Sequence, residues 1–184
     1  MKAKEFLGGA LMTMCALSMT LMMTACGDDD HDSSRSEDIT PVAITTDYKL
    51  TVDNVAFNDF NLTVEYYDAD GNRCKEVMNQ PTWQKTVKSQ LPANLGMRLL
   101  VVKKDGVELP DDGSRRYSWS YSYYYQVLNK SDKTLNEYGL SATPTSAPKS
   151  GKMDAWLNDA AKGIIEVRCM VDAKGQRHNL YWEE

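Results

Sequence analysis

Residues 116–127 read Arg-Tyr-Ser-Trp-Ser-Tyr-Ser-Tyr-Tyr-Tyr-Gln-Val. Side chains of an extended strand alternate faces, so Tyr117, Trp119, Tyr121, Tyr123 and Tyr125 share one face, and Ser118, Ser120, Ser122, Tyr124 and Gln126 share the other. No helix sorts these residues in this way. The run from Tyr117 to Tyr125 rises roughly 27 Å, more than one sandwich core needs, so its middle is expected under cover and its ends at the rim. On this reading Trp119 and Tyr121 are core residues. One end of the ladder, either Tyr117 or Tyr123 with Tyr125, is the candidate ligand contact, because exposed aromatic faces suit stacking on sugar rings or docking a partner.

Outward from this strand, short runs rich in β-branched and aromatic residues recur at 48–52, 62–67, 73–78, 82–87, 97–103, 164–171 and 179–182. Turn chemistry separates several of them. Asp68-Ala69-Asp70-Gly71-Asn72, Lys104-Asp105-Gly106 and Asp172-Ala173-Lys174-Gly175 read as hairpin turns, with glycine supplying positive φ and Asp or Asn bonding the local backbone. About eight such strands predict an all-β fold, an antiparallel immunoglobulin-like β-sandwich.

One stretch has a different period. Met153, Trp156, Leu157, Ala160 and Ala161 form a single apolar stripe at helical spacing, which predicts one short helix near 152–162. Ser150 is the expected cap and Lys162-Gly163 the stop. Such a helix would pack Trp156 and Leu157 over an open end of the sandwich. Residues 129–151 are polar, with Pro144 and Pro148 and only Leu135, Tyr138 and Leu140 as anchors, and read as a long loop.

The chain has 184 residues and a formal net charge of −5, enough for one domain and without the basic surplus of a nucleic-acid binder. Its first residues are basic and lead into an apolar run over 6–24 that ends in Met23-Thr24-Ala25-Cys26. This ending resembles the lipobox of bacterial lipoproteins, which implies a signal peptide over 1–25 and acylation of Cys26. The acidic run after it, with Asp28, Asp29 and Asp30, resembles the signal that exports lipoproteins of the Bacteroidota to the cell surface. The implied organisation is an acidic tether over 26–40 and a single domain over 41–184. The implied location is the outer membrane, facing the exterior, with the membrane as a partner through the lipid anchor.

A second resemblance is local. Leu62 to Asn72, followed by Pro81-Thr82-Trp83-Gln84-Lys85-Thr86-Val87, is similar to the MmpS membrane-anchored accessory proteins and comparable immunoglobulin-like domains. In those proteins a valine-rich strand ends in a Tyr-x-Asp-x-x-Gly turn before a Pro-Trp strand. Here Thr82 separates Pro81 from Trp83, and the pattern covers only about 62–106. It implies a sandwich and a non-catalytic accessory role.

Motifs for chemistry are sparse. The Asp68–Asn72 run is out of register with an EF-hand loop, since Arg73 stands where that loop's glycine belongs and Asn79 where its bidentate Glu belongs. His31 lies in the tether, and His178 shares a face with Leu180 and Trp182 in the last strand. Neither has neighbours at metal-ligand spacing, so no metal or cofactor is expected. Asp111 and Asp112 are adjacent in a turn and read as solvated. With Cys15 in the signal peptide and Cys26 acylated, Cys74 and Cys169 remain as a candidate disulfide or as two free thiols. The expected role is a non-catalytic surface module that binds a glycan or a protein partner. The alternative is a structural or accessory subunit of an envelope assembly, with an enzyme of unknown type third.

Overall fold

The computed structural model describes residues 37–182. The expected signal peptide, Cys26, Asp28, Asp29, Asp30, His31 and the first part of the expected tether lie outside them. The described chain is an antiparallel β-sandwich, as expected, with ten strands in two sheets and two short helices. In chain order the elements are β1 (Ala43–Val52), α1 (Asn54–Asp59), β2 (Phe60–Tyr67), β3 (Arg73–Val77), β4 (Thr82–Gln90), β5 (Ala93–Lys103), β6 (Tyr117–Leu128), β7 (Thr134–Ala142), β8 (Thr145–Ser146), α2 (Met153–Ala160), β9 (Ile164–Val171) and β10 (Arg177–Asn179).

The first sheet runs β4-β1-β6-β7, with β8 also pairing β6, and the second runs β10-β9-β5-β2-β3. Their inner faces make one core. Ile44, Tyr48, Leu50 and Val52 of β1 alternate inward and meet Leu62, Val64 and Tyr66 of β2 and Leu95, Met97, Leu99 and Val101 of β5. The phenol of Tyr48 crosses the gap and accepts the Gly96 amide at 3.1 Å, so a large aromatic side chain is buried with its polar atom paired.

The aromatic strand is β6, in the middle of the first sheet between β1 and β7. The expectation that its ends reach the rim is reversed. Tyr117, Tyr123 and Tyr125 are fully buried and Trp119 is 1% exposed, whereas Tyr121, at the middle, is only half-buried. The two ends have covers of their own. Trp156 of α2 stacks on Tyr117 at 5.4 Å, and Tyr138 of β7 stacks on Tyr125 at 5.6 Å. Strand β8 supplies Ser146 Oγ as the acceptor for the Trp119 indole at 2.9 Å.

Three further expectations are corrected. Residues 129–151 hold β7 and β8 rather than one long loop, because an edge strand exposed along most of its length carries too few apolar residues to show its alternation. Lys104-Asp105-Gly106 does turn, with the Val107 amide on the Lys104 carbonyl at 3.3 Å, yet it closes no hairpin, since β5 and β6 belong to different sheets. Helix α1, absent from the sequence reading, carries the chain from one sheet to the other and is capped by Asp53, whose carboxylate accepts the Ala56 amide at 2.7 Å. The other two hairpins stand where expected, joining β2 to β3 and β9 to β10, with Gly71 at φ 78° and Gly175 at φ 75°.

Candidate functional site

A β-sandwich has two open sides, where the edge strands of the facing sheets run alongside each other. Here β3 faces β4 on one side and β10 faces β7 on the other, and the two are closed in different ways. Glu76 points inward from β3, and its carboxylate accepts from Tyr66 Oη at 2.7 Å, Trp83 Nε1 at 2.8 Å and Lys85 Nζ at 2.7 Å. The Lys85 hydrogen bond, then those of Trp83 and Tyr66, hold the Glu76 carboxyl down to about 2 against the cost of its burial. On that side the polar groups satisfy one another.

The other side is closed by Arg177. Pairing of Arg177 with Val171 and of Asn179 with Cys169 places both residues on the inner face of β10. The Arg177 guanidinium lies over the Tyr138 ring, 4.2 Å from its centroid, a cation–π contact. Beside it is a groove of about 310 Å³, lined by Tyr121 and Leu140 from the first sheet and by Glu166, Val167, Arg168, Arg177 and Asn179 from the second, with Leu180, Tyr181 and Trp182 as its lip. Its volume is at the low end of the roughly 300–1,000 Å³ of ligand pockets. Tyr181 is 91% exposed.

The lip is held by a cluster on the outer face of the second sheet. The Leu180 amide donates to the Arg168 carbonyl at 3.1 Å, and Arg168 Nη1 donates to the Tyr181 carbonyl. Trp182 stacks on Tyr67 at 5.4 Å and lies within cation–π distance of Arg73, Arg98 and Arg168. It seats over Gly96, where a Cβ would come within 2.5 Å of the Val167 carbonyl and 3.3 Å of the indole. Under it Glu65 is buried and accepts from Arg98 Nε at 2.7 Å and Arg73 Nε at 3.0 Å. Burial pushes the Glu65 carboxyl up, and the bond and charge of Arg98 with the charge of Arg73 outweigh it, so the group stays below its ordinary range.

A larger groove of about 460 Å³ on the outer face of the first sheet is lined by Asp47, Lys49, Gln84, Thr86, Ser122 and Tyr124. There Thr86 donates to Asp47, and Tyr124 donates to Glu137. What distinguishes the groove between β7 and β10 is a set of buried donors without acceptors, Arg168 Nε, Arg177 Nε and Trp182 Nε1, beside aromatic surface. By that criterion the groove between β7 and β10 is the candidate.

The residues singled out from sequence fall in several places. Tyr117, Tyr123 and Tyr125, the candidate ligand contacts, are corrected to core residues, and Tyr121 is the member of the ladder that reaches the groove. Burial, with the charge of Asp59 next, pushes the Tyr117 phenol up to about 12, and Tyr117 donates to Asp59 at 3.3 Å. Cys74 and Cys169 are free thiols. They sit on β3 and β9, three strand spacings or roughly 14 Å apart, which no disulfide spans. Cys74 bonds Asp68 at 3.4 Å, and Cys169 meets the Tyr123 phenol at 2.9 Å.

His178 is paired with Asp172 at 3.0 Å in the last hairpin, at the rim. Asp68 accepts the Asp70 and Asn72 amides and so shapes its hairpin turn. Among the described residues no three His, Cys, Asp or Glu side chains cluster as metal ligands, and no helix is long and apolar enough to cross a membrane. The groove itself was missed from sequence. The visible signal was Arg177 alternating with Asn179 toward the core side of the last strand, a charge where an apolar residue is usual.

Comparison with known proteins gives no match to a protein family, a curated protein or a solved structure. The site therefore rests on the geometry of this chain alone.

Proposed function

We propose that the protein is a lipid-anchored, non-catalytic binding module of the outer cell surface, and that the groove between β7 and β10 is its contact site for a saccharide. The observation that carries this reading is the composition of the groove. Aromatic surface on Tyr121, Tyr181 and Trp182 stands beside the polar groups of Arg168, Arg177, Asn179 and Glu166. Aromatic faces pack against the C–H faces of sugar rings while neighbouring donors and acceptors bond the hydroxyls. The anchor at Cys26 and the export run Asp28-Asp29-Asp30 would place the groove at the cell exterior.

A glycan array probed with the full chain tests the reading. Because Tyr181 is 91% exposed, Tyr181→Ala leaves the fold intact and should weaken saccharide binding about tenfold, the size of one aromatic contact of ~1.4 kcal/mol. No binding to any saccharide, or binding unchanged in Tyr181→Ala, would remove the groove from consideration.

The alternative reading, an accessory subunit of an envelope assembly, draws on β7. Of the four edge strands, β3 carries Arg73, Lys75 and Glu76, β4 carries Lys85 and Lys88, and β10 is three residues long. Strand β7 is nine residues long and holds only Glu137 as a charge, an edge open to pairing with another strand. Ser141→Lys, a charge on that edge, would abolish cross-linking to an envelope partner if this reading holds, and unchanged cross-linking would count against it.

A further inference from the structure

We infer that the saccharide of this groove is acidic, with a carboxylate that sits against Arg177; this rests on the groove being the binding site. Elsewhere in the fold arginines meet carboxylates. Arg73 and Arg98 share the Glu65 carboxylate, and Arg98 also approaches Glu166 at 3.7 Å. Arg115 lies 3.7 Å from Asp59.

Arg168 bonds the Tyr181 carbonyl, and Arg177 lies over the Tyr138 ring. Among the described residues no carboxylate lies within ion-pair distance of either guanidinium, although the chain holds 26 acidic residues against 21 basic ones. The Nε of each is buried without an acceptor, and so is Nε1 of Trp182, the third donor of the same groove. Half of the orphaned buried polar side-chain atoms of the described residues thus belong to three residues that line one cavity. A partly desolvated cation without a counter-ion is costly, and that cost is relieved when an anion arrives.

The planar fork of a guanidinium matches a carboxylate with two parallel hydrogen bonds, which a neutral hydroxyl cannot reproduce. The opposite side of the sandwich shows the same pairing within the protein, where Glu76 meets its three donors. At the groove the cationic half is present; the Glu166 carboxylate that also lines it faces Arg98 at 3.7 Å, and the place opposite Arg177 is left for the ligand. Tyr121 and Tyr181 supply the surface for the ring that carries it.

The test uses the full chain in detergent and an array of neutral oligosaccharides, uronic-acid oligosaccharides and the methyl esters of those uronic acids. Esterification removes the charge and keeps the ring, so the comparison needs no variant that could misfold. The expected result is binding of the uronic acids, at least tenfold weaker binding of their esters, and a matching loss with the acids in Arg177→Gln. Equal binding of acids and esters would overturn the acidic ligand while leaving the groove reading in place. Binding to nothing on the array would overturn both.

Discussion

Glu76 shows how a single ionised side chain closes one side of the sandwich. Its carboxylate draws donors from β2 and β4 onto β3, and none of the three can be matched as well by a neutral carboxylic acid. The folded carboxyl sits at about 2 against an ordinary 4.5, so the group favours the folded state wherever it is ionised in both states. The contribution is complete above the ordinary value and is lost as the pH falls from about 4.5 through about 2. Chemical denaturation should therefore find Glu76→Gln less stable than the parent at neutral pH, with the difference shrinking toward zero near pH 2. A difference that stays constant with pH would mean that side-chain shape, rather than charge, is what the clasp provides. Since more than a third of the side chain is exposed, solvent screens the pair and the neutral-pH difference should be modest.

At the scale of elements, the cap of α2 comes from outside the helix. Ser150 was the expected cap, yet the side chain that accepts the first amide of the helix is Asp111, from the β5–β6 connection, with Oδ1 3.0 Å from the Met153 amide; Ser150 donates instead to the Asp111 carbonyl. One carboxylate thus fixes the helix that covers the Tyr117 end of β6. Asp111→Ala should cost about 0.5–2 kcal/mol of stability, the range for a lost N-cap, measured by urea denaturation. An unchanged midpoint would show that Trp156 packing alone holds α2 in place.

The same element marks the limit of what the sequence disclosed. Periodicity made α2, β6 and the strands around the core legible, because each buries a continuous stripe or face. What it missed are pieces whose partners are remote in sequence. Asp111 read as a solvated turn residue because its acceptor role needs Met153, 42 positions away. Strand β7 read as a loop because its outward and edge-facing positions are polar. The ladder's ends read as rim because strand length alone cannot report that Trp156 and Tyr138 cover them. For the candidate site the alternation identified the strand and misplaced its accessible point: Tyr121 is the open rung because β10 is only three residues long and the facing sheet gives way there to the groove.

At the scale of the whole molecule the two sides of the sandwich divide the work, one sealed by an internal carboxylate and one lined by guanidinium groups that, among the described residues, have no carboxylate partner and stand beside aromatic surface. Such a groove is useful where it can meet ligand, and the proposed anchor at Cys26 would hold it at a surface without a spanning helix. A single acyl chain binds membranes only marginally, whereas several chains, at about 0.8 kcal/mol for each buried methylene, make the attachment stable. Detergent phase separation of the chain expressed in a bacterium with a lipoprotein pathway tests this directly. The parent should enter the detergent-rich phase, and Cys26→Ser, which removes the proposed acylation site, should stay in the aqueous phase. If Cys26→Ser still partitions into detergent, with residues 1–25 retained, the apolar run over 6–24 is acting as the anchor and the lipid reading fails. Recovery of a water-soluble Cys26→Ser form would tie membrane attachment to the cysteine, and the domain beyond the tether would then depend on acyl chains alone to stay where its groove can work.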